Sequence, residues 1–162
     1  MGFTRGTYTV DAFDCIHGHF QKRKYDSWNR DFITWVRSPV ERTISSYYKA
    51  LTKNKGRRDP HQIRLKVEKL SLIEYAEMKA NEMTEVYFNN ASPADFAFIG
   101  ITEQYKRSIE RFEDYIGVQV KKYDKKNITK TKDFVSAKER QIIAEIMSKD
   151  MEFYNEVLRR TK

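Results

Sequence analysis

The chain has 162 residues but only one cysteine, three prolines and six glycines. A single cysteine, Cys15, excludes an internal disulfide and fits a reducing compartment. No Pro/Gly/Ser-rich linker, internal repeat or low-complexity tract interrupts the chain. One domain over 1–162 is therefore expected. No run approaches the ~20 apolar residues of a membrane span. The opening residues, MGFTRGTYTVDAFD, lack the apolar core of a signal peptide. Together these absences lead us to expect a cytoplasmic protein with no transmembrane segment. Negative charge is also scarce: 23 acidic residues face 31 basic ones, for a net charge of +8. Such an excess favours anionic partners, among them nucleotides, acidic or sulfated sugars, nucleic acid and acidic head groups, and is equally the mark of a generic basic surface. Apolar residues make up 40% and aromatics 14%, enough for a packed core.

Residues 10–20, VDAFDCIHGHF, read as a strand running into a loop. Residues 31–37, DFITWVR, form a near-continuous apolar run of β-formers, as in a strand buried on both faces. Ser38 can cap the helix that follows, and Pro39 suits its first turn. Val40, Ile44, Tyr47, Tyr48 and Leu51 recur at helical spacing on one face, while Ser38, Glu41 or Arg42, and Ser45 line the opposite stripe. Residues 53–62 read as a basic loop, and a helix is expected over Ile63–Leu70. Ser71 and Glu74 form a capping-box pattern opening a helix to about Met83. FAFIGI, residues 96–101, is a second buried-type strand. Thr102 is expected to cap a helix through Tyr105, Ile109, Phe112 and Ile116, stopped by Gly117. A short strand is expected at Val118–Tyr123, then a lysine-rich loop. Ser136 and Glu139 form another capping box, opening one long helix to about Arg159. Alternating strands and helices imply an α/β layered fold with a largely parallel sheet. Ligands in such folds sit at the carboxyl ends of strands, where Arg37 and His19 fall.

Two constellations carry chemistry. A strand-end arginine offers a planar fork to phosphate. The free amides of the next helix add donors and a favourable dipole, and Ser45, on the same stripe, can add a hydroxyl bond. The competing reading pairs Arg37 with a carboxylate such as Glu41. The second constellation is Cys15, His17 and His19, which share one side of an extended strand. They can supply a general base near neutral pH, two ligands of a soft metal site, or structural histidines. A metal site would need a further ligand, and no second Cys/His cluster exists, so no metal is expected. His61 stands alone and receives no role. The basic segment 121–132 and the pair Arg57-Arg58 could line an anion's path or be solvated.

HGHF, followed after about a dozen residues by FxxxVRSPVERxISSYY, resembles the carbohydrate sulfotransferases that use 3'-phosphoadenosine 5'-phosphosulfate, in particular the 2-O-sulfotransferase-like branch with its bacterial members. The segment FAFIGITEQYKRSIERFEDYIG is similar to that family's strand-helix segment with its G-x-x-E turn. The ending from NITKTKDF to the last helix is also similar, with a D-x-x-x-Y pattern at Asp150 and Tyr154. The resemblance covers about residues 13–158. It implies a P-loop-NTPase-like parallel sheet flanked by helices. It implies that Arg37 and Ser45 bind the donor's 3'-phosphate, and that His19, with His17 as the alternative, is the catalytic base. Adenosine 3',5'-bisphosphate would be the product and a sugar hydroxyl the acceptor, and the basic surface would suit an acidic glycan. Ser38 replaces the aspartate usual after the arginine and can cap as well. Nothing before His17 matches the family's first strand and phosphate-binding loop, whose lysine and backbone amides hold the 5'-phosphosulfate. The fold is thus expected to be truncated at the N-terminus, with a gap in the sheet. A fragment, a closed-up natural truncation, or a homodimer filling the gap would each fit. Two rivals remain: a catalytically inactive nucleotide-binding or assembly module of the same fold, and a basic nucleic-acid-binding protein. The second is disfavoured because the lysines are spread over several elements with no motif of that class.

Overall fold

A computed structural model describes residues 21–25, 31–52, 60–120 and 134–161. Its regular core is a two-stranded parallel sheet of β1 (Ile33–Val36) and β2 (Phe98–Ile101). The helices are α1 (Pro39–Thr52), α2 (Pro60–Val67), α3 (Leu72–Met78), α4 (Tyr105–Ile116), α5 (Ala137–Ile146) and α6 (Ser148–Arg160), with a π turn at Met83–Tyr87. The described residues are therefore mixed helix and sheet, and mostly helical. No helix among them is long and apolar enough to cross a membrane.

The pleat sorts the strand residues onto two faces. Val36, Ile99 and Ile101 belong to a buried cluster with Met83, Phe88, Phe153, Tyr154 and Val157. Trp35 and Phe98 instead turn their rings to Phe112 of α4, and Phe98 also meets Tyr115. Helical layers on both faces bury all four residues of β2, whereas β1, expected to be buried on both faces, is exposed at Ile33 and fully buried only at Val36. In register, Trp35 sits beside Gly100, and a Cβ on Gly100 would lie 2.2 Å from the indole Nε1. Only glycine leaves room for that ring. The indole nitrogen itself is buried and has no hydrogen-bond partner among the described residues. A second cluster, built on helices, joins Val40 and Ile44 of α1 to Leu72 and Ala76 of α3, Val135, Ile143 of α5, and Met147.

The strands expected before Arg37 and at FAFIGI are both present, as are the two capping boxes. Ser71 accepts from Glu74 N–H while the Glu74 carboxylate accepts from Ser71 N–H, and Ser136 with Glu139 repeats the arrangement. In each box the serine's hydrogen bonds, from its hydroxyl and then its amide, hold the carboxyl group below its ordinary range. The strand expected at residues 10–20 lies outside the described residues.

Elsewhere the structure departs from expectation. The helix expected at Ile63–Leu70 begins at Pro60 and ends at Val67, because proline favours the first helical position. The helix opened by Ser71 ends at Met78, and Met83 belongs instead to the π turn. Thr102 does not cap α4: its hydroxyl donates to Val36 O at 2.9 Å, tying the two strand ends together. Residues 118–120, the described part of the strand expected at Val118–Tyr123, are not a strand. Gly117 adopts φ 68° and closes α4, and Val120 N–H donates to the Glu113 carboxylate at 2.8 Å, so the chain is bonded back to α4 and not to a ladder. The long C-terminal helix is two helices, broken at Met147 (φ −90°, ψ 29°). The break is held by Asn81, whose side-chain oxygen accepts from Lys149 N–H at 3.0 Å and Asp150 N–H at 3.4 Å. The gap expected in the sheet does not separate β1 from β2, which pair directly.

Candidate functional site

β1 ends at Val36, and Arg37 and Ser38 form the junction into α1. Arg42 N–H donates to Ser38 O at 2.9 Å, which starts the helix. The Ser38 hydroxyl lies 3.5 Å from Glu41 N, at the outer limit of a capping bond. Ser38 N–H instead points to the end of β2, where it donates to Glu103 Oε1 at 2.9 Å. Glu103 reaches this point because Thr102–Gln104 forms a tight turn directly after β2. Its other oxygen accepts from the Tyr154 hydroxyl at 3.2 Å.

Arg37 stands between two carboxylates, with Glu41 and Glu103 oxygens each 3.9 Å away. At that separation both are charge contacts and not hydrogen bonds. Glu41 is also paired with Arg140 of α5. The chain of charges therefore runs Arg140, Glu41, Arg37, Glu103, and it closes on Ser38 and Tyr154. These charged side chains are between 32% and 43% exposed, so solvent screens their attraction strongly. Tyr154 is buried on α6. Burial, then the Glu103 charge and its hydrogen bond, push the phenol up to about 12.

Of the residues expected to bind phosphate, Arg37 lies at the carboxyl end of β1, and Ser45 is half-buried about two turns along α1. Ser38, Glu41 and Ser45 keep the spacing of one helical stripe. The expected competing pair of Arg37 and Glu41 is present, and Glu103 joins it. Cys15, His17 and His19 lie outside the described residues, as do Arg57, Arg58 and the basic segment 121–132. Among the described residues, no group of three His, Cys, Asp or Glu side chains could hold a metal ion.

Residue-by-residue reading missed two members of this cluster. Glu103 was visible only as the last residue of the G-x-x-E turn, with no sign that it would meet Ser38, 65 residues away. Arg140 had no signal at all, since its partner Glu41 is 99 residues distant. A polar cleft of about 160 Å³ lies along α1, lined in part by Arg42, Thr43, Ser46, Lys79, Glu82 and Asp150. Its cations are engaged: Lys79 donates to both Glu82 oxygens at 2.8 and 3.0 Å, and Arg42 lies 3.7 Å from Glu82 and over the Tyr87 ring. No family model, curated protein or solved structure matches this chain.

Proposed function

We propose that this protein belongs to the lineage of sulfotransferases that use 3'-phosphoadenosine 5'-phosphosulfate, with the junction from β1 to α1 receiving the donor's 3'-phosphate. The observation that carries this reading is the place of Arg37. It follows a parallel strand directly, precedes the first turn of a helix, and stands beside a backbone amide already bonded to an anionic oxygen. A guanidinium and a helix-start amide are the donors that a phosphate monoester requires. Ser45 would add a hydroxyl from the same stripe.

In the full reaction an acceptor hydroxyl oxygen attacks the sulfur. The bond from sulfur to the bridging phosphate oxygen breaks, and adenosine 3',5'-bisphosphate leaves. The acceptor's proton passes to a base, the role given to His19, with His17 as alternative. In-line placement of the two oxygens and proton removal by the base lower the barrier to such a transfer. The acceptor proposed is a hydroxyl of an acidic glycan, in keeping with the net charge of +8.

A second reading, a nucleotide-binding module without turnover, is favoured by a different observation. Among the described residues, the two arginines of the cluster already face two carboxylates before any ligand arrives. Calorimetric titration with adenosine 3',5'-bisphosphate tests the shared premise, with adenosine 5'-monophosphate and Arg37→Ala as controls. Micromolar binding that needs both the 3'-phosphate and Arg37 is expected. Absence of binding by the folded protein would remove both readings. Binding without sulfuryl transfer to any glycan hydroxyl offered would leave the module.

A further inference from the structure

We infer that Glu103 sets the anion affinity of the junction by acting as its internal competitor, an inference that rests on the phosphate-binding reading of Arg37. The Glu103 carboxylate occupies the place that an incoming anion would take. Oε1 accepts from the Ser38 amide at 2.9 Å and lies 3.9 Å from the Arg37 guanidinium. These are the amide and the cation that an external phosphate would use. Three features keep the carboxylate there. The turn after β2 delivers it to the junction. The Thr102 hydroxyl fixes that turn to Val36 O at 2.9 Å. The Tyr154 hydroxyl, on a buried side chain, donates to Oε2 at 3.2 Å.

None of these contacts makes the carboxylate permanent. The Glu103 side chain is 37% exposed, and its contact with Arg37 is too long for a hydrogen bond. An anion that offers two or three oxygens to the Ser38 amide and the Arg37 fork can displace a carboxylate that offers one to the amide. The displaced Glu103 can turn outward into solvent without being buried unpaired. While it stays nearby, its charge repels a dianion and lowers the affinity. A site built this way discriminates by charge and oxygen count: it rejects monoanions, which gain little by the exchange, and admits phosphate monoesters.

The test is titration of the wild type, Glu103→Gln and Tyr154→Phe with inorganic phosphate and with adenosine 3',5'-bisphosphate, each variant first shown to be folded by circular dichroism. Glutamine keeps an acceptor for Ser38 N–H and a partner for Tyr154, and it loses only the charge. Glu103→Gln is expected to bind both probes about ten-fold more tightly than the wild type. Tyr154→Phe loosens the carboxylate without removing it, and a smaller gain in the same direction is expected. Wild-type binding of the bisphosphate with equal or weaker binding by Glu103→Gln would overturn the inference and leave the donor reading standing. It would make Glu103 a residue that orients Arg37. Failure of all three folded proteins to bind either probe would overturn both.

Discussion

Asp150 and Glu103 each hold one or more backbone amides at the start of a helical segment from a distant part of the chain, in opposite surroundings. Asp150 is 3% exposed. It accepts from Met83 N–H at 3.2 Å, from Thr84 N–H at 2.9 Å and from the Thr84 hydroxyl at 2.6 Å. Asn81 returns the contact, its side-chain oxygen accepting from amides at the start of α6. The two segments thus cap each other, and both oxygens of Asp150 are matched. Glu103 holds one amide and one phenol from a position more than a third open to solvent. A buried charge is tolerated only when fully bonded, because nothing else repays its lost hydration. An exposed one need not be, since water takes up the difference. Asp150 is therefore a fixed part of the fold, while Glu103 is in a position to be exchanged.

The largest effect should come from Asp150→Ala, which takes the carboxylate from two buried amides and leaves the Thr84 hydroxyl only its longer bond to Asn81 O at 3.2 Å. A loss of about 3 kcal/mol in unfolding free energy is expected, read from urea denaturation. A loss below about 1 kcal/mol would erase the contrast with Glu103. Next in size is an effect of alkali on Tyr154. Its ordinary value of 10 is raised on folding to about 12. The neutral phenol therefore stabilises the fold fully below pH 10, and that contribution disappears as the pH rises toward 12. Tyrosinate absorbance should show one tyrosine ionising last. In Glu103→Gln it should move down only part of the way, because burial is the larger cause. The smallest effect belongs to Arg140→Ala. Its exposed pair with Glu41 should change stability by about 0.5 kcal/mol or less in the same urea assay. A larger loss would mean that the charged chain at the junction is as structural as the Asp150 cap.

The legible parts of this molecule were those with local causes. The apolar run before Arg37 and the FAFIGI segment announced two strands, and both exist. Ser71 with Glu74 and Ser136 with Glu139 announced helix starts, and each box is closed. A serine can find an amide three residues on with no help from the rest of the fold. The errors fell where another part of the chain intervened. Nothing near Met147 in sequence announces a break in the C-terminal helix; Asn81 holds it, by taking the amides that begin α6. Residues 118–120 carry β-forming valines, but Glu113 takes the Val120 amide. At the candidate site, Arg37 and Ser45 were read from one stretch of twenty residues, whereas Glu103, Arg140 and Tyr154 come from elements far along the chain.

Local chemistry along the chain was enough to place the two strands and the capped helix starts, to join β1 to α1 through an arginine, and to give an excess of positive charge. Each rests on dihedral preference, spacing of apolar side chains, or a sum of charges, and needs no knowledge of contacts. Which anion stands at the Arg37 junction was settled only on folding. That depended on parallel pairing in register, which sets the end of β2 beside the end of β1 and delivers Glu103 to the Ser38 amide. A hydrogen bond between residues 65 positions apart exists only once the sheet has formed, because no local preference could hold them together against chain entropy.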